Sequence, residues 1–146
     1  MTSKRTYPWR LAVITGAASG IGRCFAEALA ADGCSLLLID RNDCVLSAVD
    51  VDIHTLRLDL TEPDAPHKIM QHLDAALLTP DLLINNAGIF DFKAVNDLSR
   101  ERINTYIDLH MRVVTHLSRL MAARMVQPRR GGILNMSSHY CRMPMP

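Results

Sequence analysis

The sequence predicts an α/β fold built on a doubly wound parallel sheet, three layers deep. Three observations carry this. Short apolar runs recur along the chain with helix-like segments between them; the first run ends in a glycine-rich turn; the second ends on an acid. Short apolar strands alternating with helices imply parallel pairing through right-handed crossovers, with helices covering both sheet faces.

The elements follow in order. Leu11-Ala-Val-Ile14 is an apolar run stopped by Thr15-Gly16, the pattern of a fully buried strand. Residues 21–31 form a helix whose apolar members Ile21, Phe25, Ala28 and Leu29 recur at helical spacing, and Gly33 stops it. Ser35-Leu-Leu-Leu-Ile-Asp40 is a second buried strand, and residues 53–60 are a third with partial alternation. Thr61-Glu-Pro-Asp64 opens a helix that runs to about Leu78, with cap chemistry and an early proline. Residues 81–85 are a fourth strand leading into Asn86-Ala-Gly88. Residues 97–125 are a long helix with Ile103, Ile107, His110, Val114, Leu117 and Met121 on one stripe. Gln127-Pro-Arg-Arg-Gly-Gly132 breaks it before a fifth strand, residues 133–136. The whole chain, residues 1–146, reads as one domain with about five strands.

Composition narrows the function. The 146 residues are 49% hydrophobic and 21% charged, as in an ordinary globular protein. Sixteen basic residues against fifteen acidic give a net charge of +1, so neither nucleic acid nor an anionic membrane is an expected partner. Arg124, Arg129 and Arg130 form a basic cluster too short to alter this, and a solvated loop is its first reading. No stretch approaches the roughly 20 apolar residues of a membrane span, and the opening residues lack the apolar core of a secretory signal. Cys24, Cys34, Cys44 and Cys141 form no C-x-x-C pair and no metal spacing. Cys24 within a helix and Cys34 at the start of a strand read as reduced, packed thiols, and a cytoplasmic location is expected. His54, His67, His72, His116 and His139 share no spacing, so no metal is expected.

The chemistry concentrates at Thr15-Gly-Ala-Ala-Ser-Gly-Ile-Gly22, which lies between a strand and a helix. Gly16 permits a tight reversal, Gly20 lets the backbone approach a pyrophosphate, and Gly22 allows helix and strand to pack closely. Phosphates then meet unpaired N–H groups at the positive helix end. Ala17, Ala18 and Ser19 are small and leave room. The context makes this a Rossmann-type dinucleotide-binding unit from about Leu11 to Asp40. Asp40 stands where an acid can hydrogen-bond the adenosine ribose hydroxyls, and its charge repels a ribose phosphate, which favours NAD. Arg41 could embrace that phosphate, so NADP stays open, as does a simple loop-capping role for Asp40.

The spacing G-x-x-x-G-x-G, with Asn85-Asn-Ala-Gly88 after the fourth strand, resembles the short-chain dehydrogenase/reductase family. Asp59-Leu60 after the third strand and Ile133-Leu-Asn-Met-Ser-Ser138 at the fifth match it too, in the family's order, from Arg10 onward. The resemblance implies that Gly16, Ser19, Gly20 and Ile21 border the pyrophosphate, Asp40 binds the ribose, and Asp59 with Leu60 flanks the adenine. Asn86, Ala87 and Gly88 line the cofactor cleft, and Ser138 corresponds to the serine that polarises the substrate carbonyl. Without the family match, Ser137 and Ser138 would read as a polar strand end. The implied activity is hydride transfer between a nicotinamide cofactor and a carbonyl or secondary alcohol.

Two departures stand out. The family reaction uses a tyrosine as general acid or base and a lysine four residues later, which lowers the phenol's pKa and holds the nicotinamide ribose. Counted on from Ser138, that pair falls a few residues past Pro146. Tyr140 does not substitute, because Pro144 follows it at the fourth position. The expectation is therefore a truncated member, incomplete on its C-terminal side and of doubtful activity alone, with an unprotected fifth strand and marginal stability. Homo-oligomers are expected only with the missing half present. A non-catalytic dinucleotide-binding or partner-binding module is the alternative. Second, His110 occupies the position where many members carry an asparagine that anchors a proton-relay water. An imidazole can hydrogen-bond there, and a satisfied core histidine is the plainer reading.

Overall fold

The computed structural model describes residues 7–47 and 50–138. Strands β1 (Leu11–Thr15), β2 (Ser35–Asp40), β3 (Ile53–Arg57), β4 (Leu82–Asn85) and β5 (Gly132–Asn135) lie in the order β3-β2-β1-β4-β5. Every neighbouring pair is parallel, and Ile14 of β1 sits between Leu38 of β2 and Ile84 of β4. The chain winds outward from β1 in one direction through β3, then returns to β4 on the other side. That reversal opens a crevice at the carboxyl ends of β1 and β4.

Strand alternation splits the core in two. Val13, Leu37, Ile39 and Leu83 face helices α2 (Ala65–Ala75) and α4 (Val113–Val126). Ala12, Ile14, Leu36, Leu38 and Ile84 face α1 (Gly20–Ala31). Both faces of the central strands are buried, which is why they read as unbroken apolar runs. Each fully buried aliphatic side chain contributes on the order of 1.5–3 kcal/mol.

Helix α1 buries Gly22, Ala26, Leu29 and Ala30; of the expected stripe Leu29 is buried, Phe25 packs partly buried against the same core, and Ile21 and Ala28 are exposed. Small residues let this helix lie close to the sheet, and the larger Ile21 turns outward, 59% exposed. Cys24 is likewise exposed, not packed, whereas Cys34 is buried. Gly33, at φ +82°, ends the helix as expected; Gly33 N–H donates to the Ala30 carbonyl and Cys34 N–H to that of Leu29, both at 2.9 Å.

Helix α2 begins at Ala65, later than Thr61. The Thr61 N–H and hydroxyl both donate to Asp59 Oδ1 (2.9 and 2.7 Å), making a local turn that spends the cap chemistry before the helix starts.

The long helix expected over 97–125 is subdivided. A single 3-10 turn (Val95–Asp97) precedes α3 (Arg100–Ile107), whose N-cap Ser99 accepts from Arg102 N–H at 3.1 Å. A wide π-helical turn, Asp108–Arg112, joins α3 to α4. The buried stripe is Leu109, Val113, Leu117, Met121 and Met125. Ile103 and Ile107 are exposed, and so is His110, which corrects its assignment to the apolar face. The wide turn adds a residue to one revolution and rotates the phase of everything before it.

At the opposite end of the sheet Asp81, 6% exposed, ties β1 to β4. Its Oδ1 accepts from the N–H groups of Arg10 (2.9 Å) and Leu11 (3.1 Å), and its Oδ2 from Arg130 Nε (2.7 Å). Burial pushes this carboxyl up, but the Arg130 guanidinium and the two N–H donors outweigh it and hold it below the usual range. β5 is an edge strand, with Ile133 36% and Leu134 37% exposed. Among the described residues no helix is long and apolar enough to cross a membrane.

Candidate functional site

A cleft of about 520 Å³ opens at the carboxyl ends of β1, β2 and β4. Gly16, Ser19, Asp40, Arg41, Asp59 and Leu60 line one side. Asn86, Ala87 and Gly88 line the other, and α3 with its wide turn supplies Arg102, Thr105 and Leu109. Sequence positions from 16 to 109 thus converge on one cavity.

The glycine-rich turn is held from both sides. Gly16 N–H donates to the Ile39 carbonyl at 2.8 Å, fixing the turn to the end of β2. Asn86 Nδ2 donates to the carbonyls of Thr15 (3.0 Å) and Gly16 (3.1 Å), fixing it to the end of β4. Gly16 has φ +67°, and a Cβ there would lie 2.8 Å from Ala87 Cα. A Cβ on Gly22 would stand 2.1 Å from the Gly16 carbonyl oxygen, so this position is closed to any side chain. Gly20, at φ +54°, has nothing within 4 Å of where a Cβ would be and borders open space. Ser19, the N-cap of α1, makes no side-chain cap bond, and the first turn carries no acid. The leading N–H groups of α1 are therefore left for an outside acceptor.

Asp40 is partly buried, and each carboxylate oxygen accepts one backbone N–H. Oδ2 takes Ala18 at 3.1 Å and Oδ1 takes Asn42 at 3.0 Å, so the acid is held rigid with lone pairs to spare. Arg41 is exposed beside it. Asp59 is held below the ordinary carboxylate range by the backbone N–H and hydroxyl of Thr61, with Arg41 a smaller influence. Burial, with Asp40 and Asp43 nearby, pushes the Cys44 thiol up to about 11, so it stays protonated and offers no nucleophile.

His110 reaches the loop after β4. Its Nε2 lies 3.0 Å from the Ile89 carbonyl and 3.2 Å from the Ile89 N–H, and the ring stacks on Tyr106 at 5.6 Å. It braces the cleft wall and does not line the cavity. Ser138 stands exposed three residues beyond β5, at the same end of the sheet, and is also not among the lining residues. Nor are Gly20, Ile21 and Gly22. His139, Tyr140 and Cys141 lie outside the described residues. No group of three or more His, Cys, Asp or Glu is placed to hold a metal among the described residues.

Sequence reasoning missed Thr15, Asn42, Thr61 and the α3 contribution. Arg102, Thr105 and Leu109 stand at i, i+3 and i+7, a helical-stripe signal masked by the apolar stripe chosen instead.

A parallel sheet reversing at β1 and β4, a glycine turn opening on a free helix N-terminus, and an acid ending β2 define a nucleotide-binding α/β protein of the Rossmann class. Within that class the chain belongs to the short chain dehydrogenase family, whose model matches residues 10–146. It is similar to galactitol 2-dehydrogenase of Agrobacterium fabrum, 31% identical over 134 residues that cover 88% of this chain and 52% of the relative. Among solved structures it resembles 4-hydroxyisoleucine dehydrogenase complexed with NADH, with TM-score 0.86 and 30% identity over 94% of this chain and 58% of that one. It also resembles a short-chain dehydrogenase from Sphingobium yanoikuyae in complex with NADPH, with TM-score 0.80 and 32% identity over 89% and 54% of the two chains. The chain spans about half the length of the curated relatives it matches.

Proposed function

We propose that residues 1–146 are a single dinucleotide-binding unit of an NAD(P)-dependent oxidoreductase acting on a carbonyl or secondary alcohol. The observation that carries this is the cleft itself. It joins Gly16 and Ser19, at a helix N-terminus without a side-chain cap, to a rigidly held acid at the end of β2. When bound, the nicotinamide supplies the hydride chemistry; the protein supplies orientation and electrostatics.

Each residue then has a task. The backbone of Gly16, Ser19, Gly20, Ile21 and Gly22 cradles the pyrophosphate. Asp40 accepts from the adenosine ribose hydroxyls, which favours NAD, while Arg41 is the residue through which NADP would be accommodated. Asp59 and Leu60 flank the adenine, and Asn86, Ala87 and Gly88 wall the cleft. Ser138 donates to the substrate oxygen and polarises it. His110 acts through Ile89, bracing the backbone beside Gly88. The family's proton-moving Tyr-x-x-x-Lys pair does not occur in these 146 residues, and cofactor binding is the property through which the reading is tested here. A cytoplasmic location goes with this proposal, on four cysteines that form no C-x-x-C pair and no metal spacing.

Calorimetric titration with NADH and, separately, NADPH tests the reading. Saturable binding with NADH the tighter is expected. Tighter NADPH binding would move the specificity from Asp40 to Arg41, and no binding of either by folded protein would refute the function.

A further inference from the structure

We infer that Arg102 is a stacking plate for the adenine ring, an inference that rests on the nucleotide reading of the cleft. Arg102, Thr105 and Leu109 present one helical stripe to the cavity. At the base of that stripe, Leu109 packs in the same apolar cluster as Leu58 and Leu60. Arg102 also lines the same cavity as Asp59 and Leu60, which mark the adenine end under that reading. Arg102 stands two turns further out, roughly 10 Å along the axis from Leu109.

The guanidinium there is already oriented. Its Nη2 donates to Asp91 Oδ1 at 3.0 Å and its Nε donates to Asp91 Oδ2, a forked pair that fixes the plane. Its Cζ stands over the Tyr106 ring, 5.5 Å from the ring centre. Tyr106 is itself held, donating its hydroxyl to Asp91 Oδ2 at 3.2 Å and stacking on His110. One edge of the guanidinium is thus occupied by Asp91, and 36% of the side chain remains exposed. What Arg102 offers the cleft is a flat, immobilised cationic surface. A purine is the part of a dinucleotide that matches it, because a delocalised ring stacks on a guanidinium plane. Most of the ordering cost of a long side chain is already met by Asp91 and Tyr106.

The test is calorimetric titration of the full chain with 5′-AMP and with NADH, for wild type, Arg102→Lys and Arg102→Met, each with its melting temperature recorded. Lysine keeps the charge and can still pair with Asp91, but has no plane. Stacking predicts that both variants weaken both ligands by about tenfold, and that Tyr106→Phe, which keeps the ring, changes little. If Arg102→Lys retains wild-type affinity while Arg102→Met loses it, the residue acts as a charge and the stacking inference is overturned. Unchanged affinity in both variants overturns it too, while wild-type NADH binding leaves the nucleotide reading standing. Failure of folded wild type to bind NADH or AMP removes both.

Discussion

Asn86 donates two hydrogen bonds to Thr15, one from its backbone and one from its side chain. The Asn86 N–H donates to the Thr15 hydroxyl oxygen at 3.0 Å, and Asn86 Nδ2 donates to the Thr15 carbonyl at 3.0 Å. The same hydroxyl accepts from Ala87 N–H (3.1 Å) and donates to the Ile84 carbonyl (3.3 Å), so its one proton and two lone pairs are all used. Thr15→Val keeps the shape and leaves the partly buried N–H groups of Asn86 and Ala87 without their acceptor. It should destabilise by about 3 kcal/mol in urea unfolding, whereas Thr15→Ser should lose only about 1 kcal/mol, the value of a buried methyl.

The glycines of the turn should separate by experiment. Gly22→Ala places a methyl 2.1 Å from the Gly16 carbonyl oxygen, a backbone atom that cannot swing aside. A loss of about 3 kcal/mol is expected, along with NADH binding. Gly20→Ala meets no atom and carries only the left-handed backbone cost of about 1–2 kcal/mol. That variant should fold, yet bind NADH more weakly, because its methyl borders the space assigned to the pyrophosphate.

Asp40→Asn probes cofactor choice. The amide can still accept from one of its two present donors, Ala18 N–H or Asn42 N–H. It no longer offers a carboxylate to a ribose diol or repels a ribose phosphate. NADH affinity should fall roughly tenfold to a hundredfold, as for a lost hydrogen bond to a charged acceptor. NADPH should fall less, so the ratio measured by parallel titrations shifts toward NADPH.

Acid stability should track Asp81. Its folded pKa is depressed, so its contribution is fully present above the unfolded value of about 3.9 and is lost as pH falls through the folded value. Asp81→Asn should be less stable than wild type by about 1–3 kcal/mol at pH 7. The difference should shrink below about pH 4. Chemical denaturation at a series of pH values measures it, and a constant gap down to pH 2 would argue against the ion pair.

The sheet was legible because its strands are buried on both faces. Leu36, Leu37, Leu38 and Ile39 read as an apolar run and are fully buried. The glycine turn was legible because Gly16 and Gly22 answer to backbone contacts that forbid a side chain. The helical phases were not. In α1 the buried stripe is set by Gly22 and Ala26, small residues that a search for large apolar ones passes over. In the long helix the turn at 108–112 shifts the phase, and nothing in the apolar periodicity announces an added residue. The pairing of Asp91 with Arg102 joins a loop to a helix eleven residues on and leaves no local pattern. His110 was noticed, but its exposure and its contact with Ile89 depend on that same turn.

In the proposed function a nicotinamide dinucleotide occupies the cleft between the β1 and β4 ends. Hydrogen exchange of the folded chain with and without saturating NADH tests it most directly. Exchange should slow at residues 16–22, at 40–42 and at 86–89, with little change at residues 129–133, at the other end of the sheet. Unchanged exchange at the glycine turn, or protection confined to another surface, would contradict it.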